Sequence, residues 1–501
     1  MHFFNMTPTP APPFHHAERN GLAACTAPSA AALACLLLAL SGCASVGPQP
    51  PEPSAVEVPL AWSDSDATAA TGASSLVEWW TRFDDPLLAS LVAQALQANT
   101  TVTGAQAALR QARALRDVAA AALWPTLGSS ASAQRSKGSA GVANNFQAGL
   151  DANWELDIFG ANRSALNASE ATARASAASL ASVQVSIAAE VALSYITLRG
   201  AQVRLAIANE NLASQQETLQ ITQWRLQAGL VTSIETEQAI AAAEQTSALV
   251  PALQTTIDQT RHAIAVLTGR APAALAATLA ATGPIPQAGA DLALSIPAET
   301  LRQRPDVRAA ELQVTAAVAR VAQADAARWP RFNLGGSLGL NAPTLGSLAS
   351  RASVVSALLA SVSLPLFDAG SANAQVRAQQ AALEQVRVSY QATVLTALTD
   401  VEDALVALRS DRERLAHLIQ AASAAGNAAL LARQRYGSGL IDFQTVLETQ
   451  RTRLSTQDSV ASASASLSAD HVRLYKALGG GWHPDANEEV PAPYPPRTNP
   501  S

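Results

Sequence analysis

The sequence predicts a mostly α-helical protein that also carries membrane β-strands, built from two copies of one unit. Three observations lead there. Landmarks recur in the same order at a nearly constant spacing. Each copy holds a proline-free stretch of unusual length. Between the helices lie segments whose residues alternate between apolar and polar.

The repeat decides the architecture. Leu123-Trp124-Pro125-Thr126-Leu127 answers Arg328-Trp329-Pro330-Arg331-Phe332 at an offset of 205. Leu156-Asp157-Ile158-Phe159-Gly160 answers Leu364-Pro365-Leu366-Phe367-Asp368 at 208, and Arg225-Leu226-Gln227-Ala228-Gly229-Leu230 answers Arg435-Tyr436-Gly437-Ser438-Gly439-Leu440 at 210. Two copies are too few for a solenoid, so a duplicated protomer fits better.

Residues 79–296 form repeat 1 and residues 297–482 form repeat 2. In repeat 1, Asp85 is an N-cap candidate and Pro86 suits the first helical position. Leu87, Leu88, Leu91, Val92, Ala95 and Leu96 then line one helix face, in an entering helix over 86–123. Trp124-Pro125 stops it, because proline has no N–H to continue the ladder. Strands follow within 127–159, then a long helix over 161–228, 68 residues without proline and with only Gly200. Gly229 turns the chain into a return helix over 230–268, followed by a linker. Repeat 2 has the same grammar: a helix ending at Trp329-Pro330, strands within 331–367, a long helix over 369–436 and, after Gly439, a return helix over 440–478. Each long helix would span about 100 Å. An entering helix and a return helix stacked end to end roughly match one long rod. The arithmetic describes an antiparallel wall of four rods.

In residues 146–158 every even position is apolar, and every odd position but Gly149 is polar. Such a run is long enough for a tilted membrane strand. Phe332, Leu334, Leu338 and Leu340 alternate with Asn333, Gly335, Ser337 and Gly339. Residues 354–366 alternate more loosely, and 127–136 are weakly strand-like. The polar set places Asp151, Glu155 and Asp157 toward a lumen. Four strands cannot close, since outer-membrane barrels have at least 8; two protomers would give 8 and three would give 12. After Cys43 no uninterrupted apolar run reaches 18 residues, so no transmembrane helix is expected.

Composition narrows the function. Apolar residues are 49% and charged residues only 14%, against about 25% charged in an ordinary soluble domain. Helices packed closely, with little free surface, would account for both values. A net charge of −6 argues against nucleic acid as a partner. Residues 30–40 form an apolar run too short to span a bilayer but suited to a secretory signal over 1–42. Leu40-Ser41-Gly42-Cys43 resembles a bacterial lipobox, which would acylate Cys43 and start a tether over 43–78; by resemblance to bacterial sorting rules, Ala44 in place of Asp implies sorting to the outer membrane. Removal of the signal leaves Cys43 as the one cysteine, so no internal disulfide can form. The tail 483–501 reads as disordered.

Cofactor chemistry finds no support. His262, His417, His471 and His483 lack metal-ligand spacing, and the mature chain has no methionine. Nucleophile-elbow, P-loop and dinucleotide motifs are absent. Gly479-Gly480-Gly481 follows a helix, so it reads as a helix stop.

The chain resembles the outer membrane efflux proteins of the TolC type, in their lipoprotein branch. The resemblance covers about residues 40–482. It rests on Cys43, Trp79-Trp80, Phe83-Asp84-Asp85-Pro86, Trp154 through Gly160, Arg302-Gln303-Arg304-Pro305-Asp306-Val307, Gly439 through Phe443, and Tyr475 through Trp482. It implies a homotrimer with a 12-stranded barrel above a periplasmic helical tunnel. It also implies a periplasmic adaptor docking at Ala228, Gly229, Leu230, Ser438, Gly439 and Leu440, and an inner-membrane pump. The family's periplasmic gate aligns with Gln444, Glu448 and Arg451, with a Gln in place of an apolar constriction and a Glu in place of the usual Asp. The implied function is a passive exit duct for small molecules or ions. A polypeptide-secretion duct and a lipid-anchored coiled-coil protein are the alternatives, and an enzyme has least support.

Overall fold

The computed structural model describes residues 76–139, 141–289 and 304–482. Cys43, the signal, most of the tether, Arg302, Gln303, His483 and the tail lie outside the described residues.

Repeat 1 opens with a 3-10 turn, Trp79–Phe83. Helix α1 (Pro86–Ala98) starts where the Asp85 side chain accepts the N–H groups of Leu87 and Leu88. The single entering helix expected over 86–123 is in fact two. Asn99 ends α1 and caps α2 (Thr100–Ala121), its side chain accepting from Thr101 and Val102. Its amide also donates to the Leu267 carbonyl at 2.9 Å, which fixes the break against the return helix.

Strands β1 (Thr126–Gly138) and β2 (Gly141–Leu156) form a hairpin. Segment 127–136 is therefore a full strand, although serine and glycine made it read weakly. After it, α3 (Ala161–Gln227) runs for 67 residues. It begins beyond Gly160, at φ 79°, with no cap from its own first residue. Asp157 supplies one instead, accepting the N–H groups of Asn162 and Arg163 at 3.0 and 2.9 Å.

The return helix also departs from the single rod expected over 230–268. It breaks into α4 (Ser233–Ser247) and α5 (Leu249–Leu267). Pro251 is the cause: it cannot donate to the Ser247 carbonyl and its ring crowds that oxygen.

Repeat 2 contains α6 (Pro305–Ala326), β3 (Arg331–Ala342), β4 (Val354–Ser363), α7 (Ser371–Gly437) and α8 (Phe443–Ala477). Helix α7 has 67 residues, as α3 has. It too follows a glycine of positive φ, Gly370, and takes its cap from an upstream aspartate, Asp368, which accepts from Gly370 and Ala372. The Asp442 carboxylate caps α8 through Thr445, and that bonding holds its pKa below the usual carboxylate value. Without an equivalent of Pro251, α8 stays whole over 35 residues.

The strands form one antiparallel sheet in the order β1-β2-β3-β4. The second pairing joins the two repeats, and β1 and β4 are edges.

The main core sits between the sheet and the helix tips. Trp79 is fully buried and stacks on Tyr475, with ring centroids 5.5 Å apart. Around them lie Leu88, Leu91, Val92, Ile196 and Leu198. Gly480 is needed here, because an added Cβ would meet Trp79 Cδ1 at 3.0 Å. The Gly481 N–H then donates to Leu76 O, so the glycine run closes the two ends of the described chain together. From this core toward the tips, the seam between repeats becomes polar. Arg204 pairs with Asp458, Gln450 donates to Thr218, and Asn211 donates to Gln457.

Helices α3 and α7 each contain an 18-residue window apolar enough to cross a membrane by composition. In both, polar residues interrupt the apolar run before it reaches 18 residues. Half of that window is buried inside the chain in α3, but 17% in α7. The two helices hold equivalent places in their repeats, yet 25 residues are buried along α3 and 11 along α7, so α7 is the less covered rod.

Candidate functional site

Directly opposed residues in a sheet share a face, so the register sorts every strand residue. One face carries Leu127, Ala131 and Ala133 of β1, with Phe146, Ala148, Leu150, Ala152, Trp154 and Leu156 of β2. Phe332, Leu334, Leu338 and Leu340 of β3 continue it, and Leu358, Ala360 and Val362 of β4 complete it. The other face carries Ser130, Ser132, Gln134, Gln147, Asp151, Asn153, Glu155, Asn333 and Ser337. Large apolar side chains stand in the open: Leu358 is 80% exposed and Leu127 71%. A sheet with one bare apolar face and one polar face, open at both edges, has the pattern of a barrel segment between lipid and water.

Asp151 and Glu155 lie on the polar face, and the Ser130 hydroxyl donates to Asp151 at 3.1 Å. Asp157 does not join them. It lies past the end of β2, where it caps α3 and pairs with Arg163. Alternation continues to Ile158 in the sequence, but the pull of two free helix N–H groups takes Asp157 out of the strand.

At the opposite end of the rods, the two tips are built alike. Leu230 N donates to Arg225 O at 2.8 Å, and Leu440 N to Arg435 O at 2.9 Å. Gly229 and Gly439 sit at φ 71° and 70°. Each is a Schellman turn, in which a left-handed glycine lets the chain satisfy the last helical carbonyls. Ala228, Gly229, Leu230, Ser438, Gly439 and Leu440 are all exposed, with both leucines at 73%.

Gln444, Glu448 and Arg451 occupy one exposed face of the first turns of α8, opposite the buried Phe443, Val446 and Gln450. Arg451 Nη1 lies 3.8 Å from Glu448 Oε2, with side chains 67% and 68% exposed. The structure thus places the three together, facing away from their own chain.

Two buried arginines act as hubs: Arg199, which no sequence motif marks, and Arg304, which lies in a motif of the family resemblance but carries no role there. Arg199 is 6% exposed; it donates to the Tyr195 hydroxyl, to Gln202 Oε1 and to Ala281 O. The Tyr195 hydroxyl in turn donates to Asp85 at 2.7 Å. Burial, then the Asp85 bond, pushes the Tyr195 pKa up to about 12. Arg304 binds Asp306 and Asp400 and donates to Ala477 O. The detectable signal was Arg304-Pro305-Asp306, a charged pair straddling a helix start; Arg199 gave none, lying on an otherwise apolar face. Among the described residues no group of three or more His, Cys, Asp or Glu could hold a metal ion.

The family description "outer membrane efflux protein" matches residues 91–270 and again 296–480, once for each repeat. The chain belongs to the outer membrane efflux protein family. The efflux protein is 32% identical to the pyoverdine export outer membrane protein OpmQ of Pseudomonas putida, over 90% of this chain and 98% of that one. It is 30% identical to nodulation protein T of Rhizobium leguminosarum bv. trifolii, over 90% and 97%. Its fold matches the solved outer-membrane channel OprN with a TM-score of 0.82 and 36% identity, covering 86% of this chain and 99% of that one. The fold class is therefore the expected one, long helices below a small β-sheet, and the place of action is the outer membrane.

Proposed function

We propose that three copies of this efflux protein close their sheets into one 12-stranded barrel and their helices into a periplasmic tunnel. The assembly is the passive exit duct of a tripartite efflux pump, carrying small molecules or ions outward. The carrying observation is the sheet with an apolar outer face, a polar inner face and two open edges. The poorly covered α7 supports assembly with neighbouring copies, since a neighbour's α2, α4 and α5 would pack on it as α6 and α8 pack on α3. Cys43 acylation adds a lipid anchor at the membrane.

The exposed tips would take a periplasmic adaptor, which links the duct to an inner-membrane pump. Gln444, Glu448 and Arg451 would ring the narrow end. The polar seam near the tips favours a gate there. Half-exposed ion pairs such as Arg204–Asp458 contribute about 0–1 kcal/mol each, so the seam separates more easily than the apolar core.

The test uses a strain lacking its own efflux channels, with this protein supplied beside an adaptor and pump. Accumulation of a fluorescent pump substrate should fall, and the detergent-purified protein should run as a trimer that conducts in planar bilayers. A monomer that stays soluble without detergent would overturn the reading.

A further inference from the structure

The outer face of the sheet changes character at one level. Trp154 and Phe332 mark its lower border, beside Phe159 stacked on Trp329 at 5.5 Å. The Trp154 indole donates to Leu123 O, so this belt is tied to the helix end. Phe146, opposite Ala133 and Ala342, marks the upper border. Eight residues separate Trp154 from Phe146, about 27 Å along a strand and roughly 20 Å after tilting, close to the thickness of an outer-membrane apolar band. Just above Phe146, the same outward face of β1 carries Arg135, opposite Asn144, and then Lys137, opposite Val142. Both are exposed and have no partner among the described residues.

The surrounding sequence cannot supply one either. Residues 126–150 and 331–363 contain Arg135, Lys137, Arg331 and Arg351 but no Asp or Glu. A neighbouring protomer presents these same strands, so assembly brings no carboxylate from them. The carboxylates Asp151 and Glu155 lie on the opposite face and nearer the lower border. Lys137 is one of two lysines in the chain, and it stands with Arg135 at the border of a largely apolar face.

We propose that Arg135 and Lys137 bind the phosphates of anionic glycolipid in the outer leaflet. Their apolar stems lie along the acyl region while the charged ends reach the headgroups. Three protomers set three such pairs around the rim, and Arg351 in the β3–β4 connection adds a further cation on the same side of the membrane. The proposal rests on the barrel reading, but not on the gate or the pump.

The experiment uses the purified trimer and three probes: diphosphoryl lipid A, its dephosphorylated form with the same acyl chains, and inorganic phosphate. Binding is read by native mass spectrometry and thermal shift. Each cation near an anionic headgroup contributes about fivefold, so the diphosphoryl lipid should bind roughly 20-fold more tightly than the dephosphorylated one. Raising salt should erode that preference. The double variant Arg135→Gln/Lys137→Gln should lose most of it, while Arg135→Lys/Lys137→Arg keeps it. Conductance and trimer mass should stay unchanged, which separates failure here from failure of the barrel reading. Should the Gln variant not assemble, the comparison of the two lipids on the native protein still decides. Equal binding of the two lipids, or an unchanged preference in the Gln variant, would overturn the proposal. Displacement of the lipid by inorganic phosphate at equal concentration would reassign the pair to free anions.

Discussion

The Arg225 guanidinium lies 4.5 Å from the centroid of the Tyr436 ring. One residue belongs to the tip of repeat 1 and the other to the tip of repeat 2. The Tyr436 hydroxyl also reaches Glu235 at 3.3 Å, past the turn of repeat 1. In the repeat alignment Arg435 takes the place of Arg225, but Leu226 stands where Tyr436 would be. The link is therefore made once per chain, and the pseudo-symmetry of the tips is broken by one aromatic ring.

Arg225→Ala and Tyr436→Leu should each loosen both tips. Tyr436 is buried and Arg225 half-buried, so the cation–π pair contributes about 1 kcal/mol. Amide exchange over 225–232 and 436–443 should quicken by about two- to fivefold in either variant, because local opening controls exchange there. The double variant should add little to the single ones. Full additivity would mean that the two side chains act separately.

Arg304→Ala should lower thermal stability more than any surface arginine change. The side chain is 9% exposed, and it neutralises Asp306 while donating to the Ala477 carbonyl. Burial alone would raise the Asp306 pKa, but its bond to Arg304 and the arginine's charge hold it below the usual value. Breaking a fully buried pair costs about 3–5 kcal/mol. Asp306 and Asp400 are 35% and 47% exposed, so about 2–3 kcal/mol is expected here. Arg304→Lys should recover only part of it, since a single ammonium cannot span two carboxylates and a carbonyl.

Glycine position should separate two outcomes of one substitution. Gly439 has φ 70° and open space around it, so Gly439→Ala should cost only the strain of a left-handed alanine, about 1–2 kcal/mol. Gly269 has the same φ, but an added Cβ would stand 2.3 Å from the Ala98 carbonyl oxygen. That oxygen lies at the α1–α2 break, which Asn99 holds in place. Gly269→Ala should therefore reduce the yield of folded trimer sharply, with Gly439→Ala near the native yield.

His471 should make the protein less stable in mild acid. Burial lowers its pKa from 6.5, Arg412 lowers it further, and its bond to the Leu467 carbonyl only partly opposes them. The unfolded chain takes up a proton near 6.5 while the folded chain resists it. Stability is then full above that pH and falls as pH drops through it. Asp470 works in the other direction at lower pH, because burial raises its pKa despite Arg473. Melting temperatures between about pH 8 and 6 should thus fall for the native protein and stay flatter for His471→Gln.

The period of the pattern controlled what could be read in the sequence. Repeats, long helices and the outward face of β2 follow from spacing alone, because each residue there obeys one rule. The breaks at Asn99 and Ala248 do not, since each depends on a side chain competing with a helix that the pattern would continue. Pro251 marks the second break in the sequence itself; Asn99 marks the first only in the fold, because its partner carbonyl is 168 residues away. Asp157 satisfied the alternation and was still taken by a helix N-terminus. At the tips, the glycines announce the turns, but the stacking of Arg225 on Tyr436 joins segments about two hundred residues apart.

Gln444, Glu448 and Arg451 face away from their own chain, so only the neighbouring copies can turn them into a ring. Within one chain the Glu448–Arg451 pair is worth about 0.2–0.5 kcal/mol, given its exposure and spacing. Any large effect of either residue must therefore come from the assembly. Three carboxylates around one axis attract cations more strongly than the same charges on an open surface. The isolated channel should conduct poorly and prefer cations. Glu448→Gln should bring the cation-to-anion permeability ratio closer to unity and weaken block by divalent cations. Arg451→Ala should raise conductance if Arg451 bonds to the next protomer. Reversal potentials in a salt gradient measure the first effect, and single-channel currents measure the second. If Glu448→Gln leaves both the ion preference and the block unchanged, Glu448 lies outside the bore and the gate must be sought elsewhere along α8.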